Sequence, residues 1–161
     1  MGLFGKLFGK DGGKTVCSPL KGTVIPLSQV EDPAFSQGIM GPGVGIEPAE
    51  GKLFAPADGE IAAVFPTGHA VGMRTKSGIE LLIHIGIDTV QMNGDGFSAR
   101  VKQGDHVKAG DLLVEFDCQK IIGAGFKTTT MVLASNAAEL GEMSEPAAGR
   151  VDVMDPLYSF R

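Results

Sequence analysis

Residues 78–97 read GIELLIHIGIDTVQMNGDGF and set a histidine inside an apolar run. Side chains alternate between the two faces of a strand. The spacing places Leu81, Ile83, Ile85 and Ile87 on one face, which reads as core. Leu82, His84 and Gly86 fall on the other. Gly86 has no side chain, so one flank of the His84 ring is left uncovered. An open imidazole in a water-poor setting suits a nucleophile or a metal ligand. A core histidine satisfied by a backbone carbonyl would leave the same local trace.

Upstream, Ile61 to Phe65 reads as a strand, Pro66-Thr67-Gly68 as a turn, and His69 to Thr75 as a further strand. On that strand His69, Val71, Met73 and Thr75 share a face, and Lys76-Ser77-Gly78 turns the chain into the His84 strand. A hairpin with residues 76–78 at its tip brings position 69 opposite roughly 84–86. Two of the three histidines should therefore meet across adjacent strands. The third, His106, lies between Gly-rich turns beside lysines and is expected to be exposed and without a role.

Further out, a short pattern recurs. Pro19-Leu20-Lys21-Gly22-Thr23-Val24 returns as Pro56-Ala57-Asp58-Gly59-Glu60-Ile61 and as Pro146-Ala147-Ala148-Gly149-Arg150-Val151. Proline suits a strand edge, and glycine is expected to supply positive φ before the next strand. The unequal spacing of the copies argues for internal pseudo-symmetry and against a solenoid. With 24 glycines and 9 prolines among short Val/Ile/Leu runs, the chain reads as all-β. Val101 to Asp117 should give turn, strand, turn, strand; Phe126 to Ser135 a strand; and Met154 to Arg161 a closing strand or tail. Asp32 to Gly43 reads as turn-rich, its apolar side chains either folded onto the core or forming a partner surface.

A length of 161 residues fits one domain over 15–161, preceded by a tail at 1–14. In the tail, Leu3, Phe4, Leu7 and Phe8 share a helical face beside Lys6 and Lys10, the outline of a segment that contacts anionic membrane. So short and Gly-rich a stretch is also compatible with a disordered tail. The net charge of −5 gives no global attraction for nucleic acid. Cys17 and Cys118 form no C-x-x-C and read as reduced thiols. No run approaches the roughly 18 apolar residues of a membrane span and no secretory signal is visible, so a cytoplasmic protein, peripheral at the inner face of the membrane, is expected.

Two facing imidazoles, with Thr67 nearby and Asp88 just beyond, admit three chemistries. His84 could attack a phosphoryl group, with His69 donating an N–H to its oxygens and Thr67 fixing the His69 tautomer. The histidines could bind zinc, since His84 to Asp88 matches the H-x-x-x-D half of a zinc peptidase site; the H-x-H that would complete it is missing. A swinging-arm carrier would need a lysine at a tight hairpin tip flanked by small residues, and none is found. The spacing favours the phosphohistidine. A metal-binding or peptidase-like domain is the alternative.

The strings Phe65-Pro66-Thr67-Gly68-His69-Ala70 and Leu82 to Val90, continued by Asn93-Gly94-Asp95-Gly96-Phe97, resemble the active-site signature of the glucose-type enzyme IIA family of the bacterial sugar phosphotransferase system. The similarity runs from about Ser18 to Ala148, and the tail is similar to the membrane-binding helix of some stand-alone members. The resemblance implies an antiparallel β-sandwich or barrel with a duplicated hybrid motif. It implies that His84 accepts phosphate on Nε2 from the histidine-containing phosphocarrier protein and passes it to a cysteine of an enzyme IIB domain. His69 would stabilise the phosphate, Thr67 would bond His69, and the Gly86 carbonyl would hold the Nδ1 proton of His84. Phe35, Ile39, Met40, Phe65, Leu82 and Val90 would form the apolar rim where partners dock. No cofactor is implied, and His69 and His84 could ligate zinc only within a partner complex. Pro42 stands where members commonly carry Asp, and Ile85 replaces a common Phe. No G-x-x-x-x-G-K-[ST] is present, so the expected relay component uses no ATP itself.

Overall fold

The computed structural model describes residues 14–161. Residues 1–13, and with them the expected amphipathic tail and its membrane contact, lie outside the described residues. The strands are β1 (Thr15–Cys17), β2 (Gly22–Pro26), β3 (Gly43–Pro48), β4 (Lys52–Phe54), β5 (Gly59–Val64), β6 (Ala70–Thr75), β7 (Glu80–Ile87), β8 (Phe97–Ala99), β9 (His106–Val107), β10 (Leu112–Phe116), β11 (Lys127–Ala134), β12 (Gly149–Val151) and β13 (Pro156–Ser159). Two short helices, α1 (Pro33–Ser36) and α2 (Cys118–Gly123), complete the framework. The sequence reading assigned neither. Each is started by an aspartate that accepts a backbone N–H of the first turn: Asp32 from Ala34 and Asp117 from Lys120.

The main sheet runs β12-β2-β3-β11-β7-β6-β5-β9, with antiparallel pairing throughout. Smaller sheets β4-β10-β8 and β1-β13 accompany it. The order of the main sheet is palindromic. On one side β2 pairs with β12 and β3; on the other β5 pairs with β9 and β6. Two copies of the recurring motif sit at equivalent places in it, since Gly22 and Gly59 are the first residues of β2 and β5; the third copy opens β12 with Gly149. Gly22 lies opposite Pro48, and Gly59 opposite Thr75.

The reason for glycine differs from the sequence expectation. Gly149 has φ +79, but Gly22 and Gly59 do not have positive φ. They are needed for close approach: an added Cβ would stand 2.2 Å from the Glu47 carbonyl oxygen at Gly22 and 2.2 Å from that of Arg74 at Gly59. Two equivalent backbone crossings are the physical mark of the duplication.

The hairpin of β6 and β7 forms as expected, pairing Ala70 with His84, Gly72 with Leu82 and Arg74 with Glu80. Leu81, Ile83 and Ile85 point into the main core with Val71, Met73 and Val132. Ile87 does not join them. Gly86 adopts φ +81, and β11 slips its register between Lys127 and Thr130 opposite. This bulge breaks the alternation. Ile87 therefore crosses to a second cluster, with Val30, Phe35, Met131 and Leu133, on the other face of the sheet.

Candidate active site

The second cluster is the floor on which His84 sits. Met131 pairs with His84 and Leu133 with Leu82, so both share its face of the sheet. The loop through α1 folds over that face and lays Phe35 against the imidazole, with ring centroids 5.0 Å apart. Phe35 is only 5% exposed. It is a loop side chain folded onto the core, one of the two readings the sequence left open for segment 32–43, with its ring against His84.

His69 departs from its expected face. Strict alternation would bury it with Val71 and Met73, but β6 begins only at Ala70 and the Pro66–Gly68 turn sets the preceding residue free of the pleat. The ring instead meets that of His84 edge-on, with centroids 4.9 Å apart. Phe65 and Phe97 close around it at 5.4 and 6.5 Å, leaving His69 3% exposed.

Two hydrogen bonds orient the pair. His84 Nδ1 lies 2.8 Å from the Gly86 carbonyl oxygen. A carbonyl only accepts, so in the neutral ring the proton sits on Nδ1 and the lone pair is on Nε2. Thr67 Oγ1 lies 2.5 Å from His69 Nδ1. When that hydroxyl donates, the His69 proton is on Nε2.

Burial pushes the His69 pKa down from 6.5 to about 4, aided by the neighbouring His84. Burial also lowers that of His84, opposed by the Gly86 carbonyl and by the carboxylates of Asp32 and Asp88. Both rings are thus held neutral near pH 7. The unfolded chain, with an ordinary His69, binds a proton below pH 6.5 that the folded protein refuses until about pH 4. Stability contributed by neutral His69 is therefore present above pH 6.5 and lost as pH falls through that window. Thermal unfolding of the wild type should drop more steeply from pH 7 to pH 4 than that of His69→Gln. Equal slopes would contradict the burial argument.

Of the other residues expected to form the rim, Ile39 is 73% exposed, Val90 50%, Phe65 41% and Met40 39%; Leu82 is half-buried. Asp88 is exposed with φ 60 and begins the turn that leaves β7. His106 and the two cysteines, to which the sequence reading gave no role in the site, lie elsewhere. His106 is exposed on β9, opposite Glu60 and three strands from β7. Cys17 and Cys118 are free thiols, and burial raises the pKa of both. Among the described residues no three His, Cys, Asp or Glu gather into a set that could hold a metal ion. Among them, too, no helix is long and apolar enough to cross a membrane.

The pattern of the family described as "phosphoenolpyruvate-dependent sugar phosphotransferase system, EIIA 1" matches residues 14–140. The chain belongs to this family. A glucose-specific EIIA component of Halalkalibacterium halodurans is 44% identical over 156 residues, covering 91% of this chain and 90% of the relative. A beta-glucoside-specific EIIBCA component of the same organism is 50% identical over 128 residues. There the match covers 80% of this chain and 20% of the relative, so the chain spans about a fifth of such multi-part relatives. The glucose permease IIA of Mycoplasma capricolum has the same fold, with a TM-score of 0.82 and 35% identity over 89% of this chain and 93% of that one. The fold is thus an antiparallel β-sandwich, as expected from sequence, and the family places the chain among the EIIA components of the sugar phosphotransferase system. Nothing in these likenesses points to the metal-peptidase alternative.

Proposed function

We propose that His84 is the relay nucleophile, loaded by the histidine-containing phosphocarrier protein and unloaded by a cysteine of an enzyme IIB domain. The observation that supports this most is the bond from His84 Nδ1 to the Gly86 carbonyl, because it directs the free lone pair to Nε2. In the first step Nε2 bonds to phosphorus as the donor's P–N bond breaks, and that electron pair returns to the donor imidazole. His84 keeps its Nδ1 proton throughout, so its ring becomes cationic. The Gly86 carbonyl, Asp32 and Asp88 favour that charge, while burial keeps the resting ring neutral and nucleophilic. His69, with its proton on Nε2, donates to the phosphoryl oxygens and Thr67 holds its tautomer. In the second step a thiolate attacks phosphorus and Nε2 leaves with its electron pair as a neutral imidazole. Relatives named EIIBCA components, which match this chain over one segment, favour an enzyme IIB acceptor.

Ile39, Met40, Phe65, Leu82 and Val90 form the docking rim in this reading. Four of these apolar side chains are exposed, which suits a small, transient contact. Incubation with phosphoenolpyruvate and the two general phosphotransferase proteins should place acid-labile phosphate on the chain. Absence of label would overturn the relay. In the same assay Ile39→Glu should slow labelling with unchanged thermal stability, because its side chain is open and an added charge opposes docking. Full-rate labelling would move the rim elsewhere.

A further inference from the structure

Thr89 is fully buried although it lies in the turn leaving β7, and the relay chemistry above makes no use of it. Asp88, at φ 60, turns the chain back on itself, so Thr89 returns against the strand it has just left. Its hydroxyl donates to the Ile85 carbonyl. Its methyl takes up the space beside Gly86, where an added Cβ would stand 2.3 Å from Thr89 Cγ2.

Both polar groups of Ile85 are thereby fixed. Its N–H donates to the His69 carbonyl at 2.7 Å, and its carbonyl accepts from Thr89. On the β6 side ordinary ladder pairing runs out at this point, since β6 begins at Ala70; on the other side β11 still pairs Thr130 with Ile85 and slips register only between Lys127 and Thr130. The Thr89 hydroxyl closes the ladder in place of a strand. The pinned carbonyl belongs to the peptide that leads into Gly86, so that peptide plane is set before Gly86 turns at φ +81. The next carbonyl, that of Gly86, is the one His84 Nδ1 reaches.

We propose that Thr89 is a positioning residue for the relay: its hydroxyl on the Ile85 carbonyl holds the Gly86 carbonyl where it selects the His84 tautomer with Nε2 free. The consequence for transfer rate rests on the relay reading. The tautomer itself belongs to the unphosphorylated protein and can be read without any partner.

Thr89→Val keeps the shape and removes the hydroxyl, leaving the Ile85 carbonyl without that donor. Nitrogen-15 spectra of the histidine side chains should then show His84 shifting from the Nδ1–H form toward a mixture. Phosphate acceptance should fall about tenfold, the effect expected from one buried hydrogen bond. Thr89→Ser restores the hydroxyl; the wild-type tautomer and most of the rate should return, although the lost methyl lowers the melting temperature. A purely structural Thr89 would lower stability in both variants and leave the tautomer unchanged. A folded Thr89→Val with the wild-type tautomer overturns the proposal, as does a Thr89→Ser with a mixed one. If Thr89→Val fails to fold, Thr89→Ser decides alone by the same spectra. A wild type that takes no label overturns the relay and leaves the tautomer result standing.

Discussion

His84→Ala accepts no phosphate from the phosphocarrier protein, whereas His69→Gln still accepts it and passes it on slowly. The asymmetry follows from the two hydrogen bonds. His84 Nδ1 is committed to the Gly86 carbonyl, which frees Nε2 to attack; alanine supplies no nucleophile, and no other nitrogen stands in that place. His69 lies edge-on to His84 at 4.9 Å and is tied to Thr67 through Nδ1, so it can present a donor to the phosphoryl oxygens but is not required to bond phosphorus. Glutamine keeps an amide N–H of similar reach, and loading survives. Its amide lacks the ring packing against Phe65 and Phe97 and the fixed bond to Thr67, so it does not hold its donor where negative charge spreads as phosphate departs. Loss of one oriented donor of this kind slows a transfer step by roughly 10²-fold. Labelling from radioactive phosphoenolpyruvate, followed by chase onto an enzyme IIB domain, separates the two steps. If His69→Gln lost acceptance while His84→Ala retained it, the assignment would be reversed.

How much of this was legible in sequence depends on whether local pattern or a distant neighbour decides each residue. The β6–β7 hairpin was legible because its turn and its apolar alternation agree, and that alone brings residues 69 and 84 together. The duplication was legible in the three P-x-x-G copies, but not the cause of their glycines. Only the folded sheet reveals that the Glu47 and Arg74 carbonyls pass where a Cβ at Gly22 or Gly59 would stand. The faces of His69 and Ile87 were misread for one shared reason: alternation holds only while the pleat continues. It has not begun before Ala70, the first residue of β6, on one side, and it stops at the Gly86 bulge on the other. The reading of Phe35 stayed open between core and partner surface because its packing against His84 is made by chain about 50 positions away in sequence. Thr89 gave no signal beyond its place in the I-D-T run, since its importance lies in returning to the strand it left.

Gly86→Ala is expected to damage both stability and chemistry, because one residue meets two independent demands. The first is conformational: φ is +81, where a Cβ costs about 1–2 kcal/mol. The second is steric. An alanine methyl would stand 2.3 Å from Thr89 Cγ2 and 2.9 Å from the Lys127 carbonyl oxygen. Thr89 is fully buried and Lys127 offers backbone, so neither can yield freely, and overpacking of this sort costs about 1–3 kcal/mol more. For a chain of 161 residues the sum should lower the melting temperature by roughly 5–15 °C. Relief can come only by rotating the 85–86 or 86–87 peptide, and either rotation moves the Gly86 carbonyl away from His84 Nδ1. At a temperature where the variant remains folded, phosphate acceptance should therefore still be depressed and the His84 ring should show mixed tautomers. A variant that melts lower but loads at the wild-type rate with His84 wholly in its Nδ1–H form would separate the bulge from the chemistry. It would show that the Gly86 carbonyl is not what aims the nucleophile.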